Sequence, residues 1–361
     1  MTDATASTSK GRLKAAWVLI LLAPLSAELA FSAVGMPVMW LAFPFLIPMY
    51  GLGVLVVREL VARAGGGWPS LLVMALVYEL AEDGLGLQAL TSPTLYNAAE
   101  WGPRILGFNT TYWEVQFGYH AVFSVLIPVM LVDLMFPAHR ARPYLRMGGT
   151  IATAVGAAVG IVMLKVVFTA ASDPGYQAPR PFLVGLIIVM VALSLFALRI
   201  LPRRAPGVSV ASGTGHATRI PRPWIAGVAA GAATIVFLGL LMPMGSPPSA
   251  PAIGEGAFVL IPMVVAAALA VAAIVVIGRW VRAGALTDRH RIWLAGGALV
   301  AHTLFAMVTT MLVPGDALAF VLAAVTGPVV IAATVLLLAL LSRRVRVRSE
   351  QGAPSSTGKG R

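Results

Sequence analysis

The sequence predicts an all-α, polytopic helical membrane protein of about ten transmembrane helices with both termini cytoplasmic. Three observations lead there. Of the 361 residues, 59% are hydrophobic and only 11% charged, against roughly 25% charged in an average soluble domain. Apolar runs recur along the chain, most of them near the roughly 20 residues that a helix needs to cross hydrocarbon. The basic residues fall in short clusters between those runs, on alternate sides, as the positive-inside rule requires.

The runs lie at 15–34, 38–62, 70–90, 119–136, 149–171, 181–201, 224–243, 257–280, 292–313 and 317–341. With the N-terminus inside, 23 of the 26 Lys and Arg residues fall on inner segments. Only Arg104 and Arg180 lie outside, and Lys165 lies within a span. A different span count would break this alternation.

The chain divides accordingly. A cytoplasmic segment, 1–14, carries Lys10, Arg12 and Lys14. The run behind it is too long for a signal peptide, and Leu25-Ser26-Ala27 lacks the small-x-small cleavage pattern, so it reads as a retained helix. A six-helix region, 15–201, follows and includes an outer loop at 91–118. The linker 202–223 is rich in Pro, Gly, Ser and Arg. A plainer four-helix region, 224–341, leads to a basic tail, 342–361, expected to be disordered. Phe45-Leu46-Ile47-Pro48-Met49 and Val259-Leu260-Ile261-Pro262-Met263 echo each other. Their distances to the next basic turn differ, so the likeness reads as shared span chemistry rather than a repeat.

One run stands apart. Residues 70–90 include Tyr78-Glu79-Leu80-Ala81-Glu82-Asp83-Gly84-Leu85-Gly86. An Asp at a span centre costs about 2.5–3.5 kcal/mol, while each Leu or Val returns about 0.3–0.6. Nine Leu and Val residues in the run cannot offset three ionised acids. The acids are therefore neutral, paired or turned to a wet cavity, and such groups are functional candidates. Helical spacing places Glu79, Glu82, Asp83 and Gly86 on one face.

Counting 1.5 Å per residue from the inner ends puts Glu79 near mid-membrane, with Glu82 and Asp83 in the outer half. Glu28 and Lys165 also fall in the outer half, His302 near the middle, and His120 at the outer edge. Convergence of these groups would form a cavity open to the outside. Lys165 reads as a counter-ion for an acid or as a snorkelling residue. His302, before Thr303, reads as a helix–helix hydrogen bond or a site residue. Asp133 is expected to pair with Arg58 or Arg140, and Glu59 to form a solvated or interfacial pair with Arg58. The outer loop, with Tyr96, Trp101, Phe108, Tyr112, Trp113, Phe117 and Tyr119, is an aromatic belt or a lid over the acids.

Other chemistries find little support. The chain has no cysteine, which excludes disulfides and thiol catalysis. No P-loop or dinucleotide glycine fingerprint occurs, and Glu-x-x-Glu-Asp on one helix is a weak metal signal. No cofactor, metal or nucleic-acid partner is expected, since the net charge of +12 is spread as topology requires. Arginine outnumbers lysine 22 to 4, which suggests a GC-rich bacterial genome.

Residues 46–146 resemble a family of uncharacterised bacterial multi-pass membrane proteins. The likeness rests on Tyr50-Gly51-Leu52-Gly53 with Arg58-Glu59-Leu60, on Gly67-Trp68-Pro69-Ser70, and on Glu82-Asp83-Gly84-Leu85. It continues through His120 to Pro128-Val129-Met130-Leu131-Val132-Asp133-Leu134. It implies no activity. A fainter likeness is to the CPBP (CAAX-protease-like) intramembrane peptidases. There Glu82-Asp83 would stand for the acidic pair and His120 for the histidine of the next helix. Leu87 occupies the arginine position, Phe117 stands one residue too close to His120, and no third motif occurs.

Three functions are consistent with these residues. The first is a plasma-membrane transporter of a small solute, proton-coupled through Glu28, Glu79, Lys165 and His302 with the central acids. The second is an intramembrane hydrolase using Glu82, Asp83 and His120 as catalytic residues. The third is a non-catalytic membrane subunit. The lipid bilayer is the one definite partner, and the oligomeric state is open.

Overall fold

The computed structural model describes residues 2–201, 220–243, 256–313 and 315–351. The linker expected at 202–223 lies outside the described residues except for its last four, and so does the tail from 352 onward.

Among the described residues, ten helical rods carry the fold. The first, α1, is Thr2–Pro24 continued by Leu25–Leu29. Then come α2 (Met39–Arg63) and α3, which is Trp68–Glu79 continued by Leu80–Gly86. The next three are α4 (Thr110–Met135), α5 (Met147–Ser172) and α6 (Arg180–Ile200). After the linker follow α7 (Pro223–Leu241), α8 (Leu260–Arg282), α9 (Asp288–Met311) and α10 (Ala317–Gln351). Eight of these, all but α1 and α3, are long and apolar enough to cross a membrane. The chain is thus an all-α polytopic membrane protein. The other two rods occupy the places of the first and third expected spans, and α3 is the one loaded with acids.

Local sequence sets the ends. Gly65, at φ +69°, closes α2 in the left-handed conformation that glycine adopts without strain. Proline in the first turn opens α3, α6 and α7, where its missing N–H costs nothing. Thr287 caps α9 by accepting from the His290 backbone N–H at 3.4 Å.

Two boundaries differ from expectation. Helix α4 begins at Thr110, nine residues ahead of the apolar run at 119, because its first turns are aromatic and polar and face protein. Helix α10 runs through the basic residues to Gln351, where the sequence leads one to expect a disordered tail from 342. No Pro or Gly interrupts Ser342–Gln351, and Arg348 donates to the carbonyl of Leu134 at 3.1 Å.

Helices α5, α6, α8 and α10 turn mostly apolar, exposed side chains outward, whereas α4 and α9 lie deeper inside. Small residues bring backbones together. A side chain on Gly297 would strike the Gly227 carbonyl, which is how closely α9 meets α7. The two regions join where Thr303 of α9 donates to the Ala30 carbonyl at 2.8 Å and Thr326 of α10 to that of Val34.

The segment between α3 and α4 is a folded cap. Strands β1 (Arg104–Ile105) and β2 (Phe108–Asn109) pair antiparallel. Asn109 donates to the carbonyls of Ala89 and Ser92, both at 2.8 Å. Asp173, after α5, accepts from Ser92 at 2.5 Å and Thr94 at 2.6 Å.

At the opposite end, Glu59 pairs with Arg58 as expected, but buried rather than solvated or interfacial. It is fully buried with Arg58 at 3.0 Å. It also accepts the backbone N–H groups of Tyr144 at 2.6 Å and Leu145 at 3.1 Å. Arg58 lies 3.4 Å over the Tyr144 ring and donates to the carbonyls of His139 and Arg142. The pair clamps the α4–α5 loop, and loop backbone groups that water would otherwise serve are its reason for burial. Asp133 accepts from the Tyr144 hydroxyl at 3.3 Å, and Arg140 reaches Asp288 at 3.2 Å.

Candidate functional site

Each of the six N-terminal helices contains one π turn, in which the backbone widens to i→i+5 bonding. These insertions recur at functional sites because they redirect side chains and loosen the backbone ladder. Among the described residues, none occurs in α7–α10. The turns cover Leu25–Leu29, Ile47–Leu52, Leu80–Gly86, His120–Leu126, Leu164–Thr169 and Phe196–Ile200. Glu28, Tyr50, Glu82 with Asp83, His120 and Lys165 sit on the first five. Prolines at 24, 48 and 128 lie in or beside three of them, and each removes a backbone donor from the helical ladder.

The site assembles where α1, α2, α3 and α4 meet. Glu28 accepts a hydrogen bond from the Tyr50 hydroxyl at 2.6 Å and one from Ser32 at 2.9 Å. His120 Nδ1 stands 3.5 Å from Glu82 Oε2 and 2.9 Å from the Ser124 hydroxyl. The rings of Tyr50 and Tyr78 each lie about 6 Å from the imidazole (6.0 and 6.2 Å). On the same face of α3, Asp83 accepts from Tyr112 at 3.2 Å and Glu79 from the Trp113 indole at 3.0 Å. All three acids of α3 therefore find partners on α4, as their shared face predicts.

Glu79, Glu82, Asp83 and His120 are at most 2% exposed. The expected cavity open to the outside is therefore not met: the acids are packed against aromatic side chains beneath the cap. Nor are they ion-paired with arginine or lysine. Among the described residues, no Lys or Arg forms a salt bridge with Glu28, Glu79, Glu82 or Asp83. One oxygen each of Glu79 and Asp83 makes no hydrogen bond, while Glu82 is approached by the Tyr50 and Tyr78 hydroxyls as well as by His120.

Two expected members lie apart. Lys165 Nζ donates to Gln88 at 2.9 Å and to the Tyr176 carbonyl at 2.7 Å. It ties α5 to the cap and lies near Asp173 instead of neutralising an acid of α3. His302 stacks on Phe123 at 3.9 Å between centroids, with Phe31 at 4.7 Å and Tyr119 at 5.1 Å. Both of its ring nitrogens lack a hydrogen-bond partner. Its neighbour Thr303 makes the interhelical bond that the sequence suggested for His302. Among the described residues, no three His, Asp or Glu side chains converge closely enough to hold a metal ion.

Sequence reasoning missed Tyr78 and Ser124 as site members. It placed Tyr50 only within a motif, and Tyr112 and Trp113 only within an aromatic belt. A tyrosine midway along an apolar run, as Tyr50 and Tyr78 both are, was the available signal, since a buried phenol seeks a partner.

Fold and site together define a multi-pass helical membrane protein with a buried acid cluster that, among the described residues, forms no salt bridge with arginine or lysine. A family described as an uncharacterized membrane protein family matches residues 17–358, and the chain belongs to it. The match spans nearly the whole chain, far beyond residues 46–146, and lends no support to the peptidase likeness. No curated protein and no solved structure matches the chain.

Proposed function

We propose that the protein is a proton-coupled carrier of a small solute in the plasma membrane, with ten spans and both termini cytoplasmic. The six-helix region carries the site, and the four-helix region packs against it through α9 and α10. Glu82 is the central proton acceptor, with Glu28 and Tyr50 on one side, His120 on the other, and Asp83 and Glu79 as neighbouring acids. The observation that supports this reading is the set of four acids whose partners are phenol, indole, hydroxyl and imidazole groups. Such carboxyl groups hold protons while buried and release them when a conformational change admits water or solute. The π turns beneath Glu28, Glu82 and His120 supply backbone that can rearrange.

The test is solute uptake into proteoliposomes with and without a pH gradient. Gradient-driven accumulation that disappears in Glu82→Gln is the expected result. Equal uptake in both conditions for every solute in the panel contradicts the proposal.

One observation favours a second reading, an intramembrane hydrolase: His120 Nδ1 at 3.5 Å from Glu82. An imidazole and a carboxylate at that separation can polarise a water between them. Glu82 would be the base, His120 its partner and Asp83 a support, although Asp83 is engaged by Tyr112. Loss of cleavage of a membrane-anchored reporter in Glu82→Gln and His120→Ala, at normal protein levels, would favour it. If both variants fail to accumulate, the acids serve assembly and the protein is a non-catalytic subunit.

A further inference from the structure

We propose that the cap between α3 and α4 is a hinged lid over the acids, pivoting at Gln88 and Asn109 and held shut by a latch from α5. The inference concerns access to the site and not what the site handles.

The backbone supplies the first observation. Among the described residues, the non-glycine residues with positive φ are Gln88, Tyr96, Asn97 and Leu106, and all of them lie in the cap or at its edge. Two have local reasons. Asparagine tolerates the left-handed region, and Leu106 with Gly107 forms the two-residue turn between β1 and β2, which needs positive φ at both positions. Gln88, at φ +57°, and Tyr96, at φ +58°, have no such reason. Strain of this kind persists only where neighbours hold it, and it gathers at clamps and switches.

The neighbours that hold it come from α5 and the turn after it. Gln88 Oε1 accepts from Lys165 Nζ at 2.9 Å and from the Ala178 backbone N–H at 2.8 Å. Asp173 accepts from Ser92 and Thr94, and the Phe168 ring lies 6.3 Å from that of Tyr96. Lys165 and Phe168 belong to the π turn of α5. Thr169 of the same turn donates to the carbonyls of Gly86 and Leu87, both at 3.3 Å, where α3 ends. One irregular turn thus grips both the strained residue and the helix end beside it.

The two ends of the cap are tied side by side, which makes them one hinge line. The Asn109 side chain donates to the carbonyls of Ala89 and Ser92, and its backbone N–H to that of Leu90 at 2.8 Å. Beneath the lid, Tyr96 and Trp101 pack on Tyr112 at 6.0 and 5.3 Å between centroids, and Tyr112 donates to Asp83. Acids at most 1% exposed exchange nothing with water until something moves. Lifting the lid uncovers Tyr112 and opens the way to Asp83, the gating role that such segments serve elsewhere.

The test uses the full chain in nanodiscs. The protein has no cysteine, so Ala98→Cys, at a cap position 2% exposed, reports opening through its reaction with a water-soluble maleimide. Labelling should be slow in that background. Adding Lys165→Met should raise the rate about tenfold or more, as expected when a charge-assisted hydrogen bond holds the closed form. Thr94→Val, at an exposed position, should raise it about threefold through the lost bond to Asp173. Ala295→Cys in α9, 1% exposed, should stay unreactive in both variants. An unchanged rate at Ala98→Cys in folded, monodisperse Lys165→Met or Thr94→Val overturns the latch, and Thr94→Val decides alone if Lys165→Met does not fold. A parallel rise at Ala295→Cys shows general loosening and overturns it as well.

Discussion

The Nδ1 atom of His120 lies 3.5 Å from Oε2 of Glu82, and each residue sits on the π turn of its own helix. This contact joins α3 to α4 at the point where both backbones depart from regular α-helix. It makes Glu82 the acid most exposed to any rearrangement of the site.

Glu82→Gln is therefore expected to lower gradient-driven flux by about tenfold or more, the loss typical of a group needed in the transition state. The protein should still accumulate, because the amide has nearly the shape and volume of the carboxyl group it replaces. Membrane protein level and flux measured together check this. Loss of the folded protein itself would show Glu82 to be structural.

Tyr50→Phe removes the donor of the 2.6 Å bond to Glu28. Leaving a buried acceptor unsatisfied costs about 1–3 kcal/mol. Thermal unfolding in detergent should report a destabilisation of that order, and Glu28→Gln combined with Tyr50→Phe should add little more. Simple additivity in the double variant would show that the two groups act independently.

The Arg58–Glu59 clamp should be far more sensitive than the exposed pairs. Glu59→Ala leaves a buried guanidinium and two backbone N–H groups without their partner, at a cost of about 3–5 kcal/mol. Asp288→Asn removes contacts to Arg140 and Arg291 that are about one-third exposed, worth about 0–1 kcal/mol. Stability curves for the two variants should differ accordingly, and equal destabilisation would contradict the packing described.

His302 offers a test of packing against chemistry. His302→Phe keeps an aromatic disc against Phe123 and removes two unpartnered nitrogens, so it should change stability by less than about 1.5 kcal/mol and preserve flux. His302→Ala opens a cavity and should cost about 2–4 kcal/mol. Loss of flux in the phenylalanine variant, with stability intact, would place His302 in the working site.

Much of the fold is legible in the sequence because lipid-facing helices must be apolar throughout, and eight of the ten rods begin within a few residues of an apolar run or of the basic turn ahead of it; α1, from Thr2, and α4 start earlier. The second of these is instructive. Residues 110–118 look like loop because they are aromatic and polar, yet Tyr112 and Trp113 are the side chains that receive Asp83 and Glu79. A hydropathy reading detects contact with lipid and not helicity, so a helix turned toward a buried acid is invisible to it. The acids themselves were legible from energetic cost alone. Their partners were not, since nothing in the spacing shows that Tyr50 crosses to Glu28 or that Lys165 turns to Gln88 and the cap. Glu59 was misread for the same reason: beside Arg58 it resembles an interfacial pair, and the backbone N–H groups of Tyr144 and Leu145 that draw it inside lie 85 and 86 residues away.

The account stands on the acids of α3 carrying exchangeable protons. Infrared difference spectra of the protein in lipid, recorded between acidic and alkaline pH, test that directly. Wild type should show a protonated-carboxyl C=O band that fades as pH rises, and Glu82→Gln should lose a component of it. Spectra in which Glu82→Gln matches wild type across the whole pH range would contradict the account.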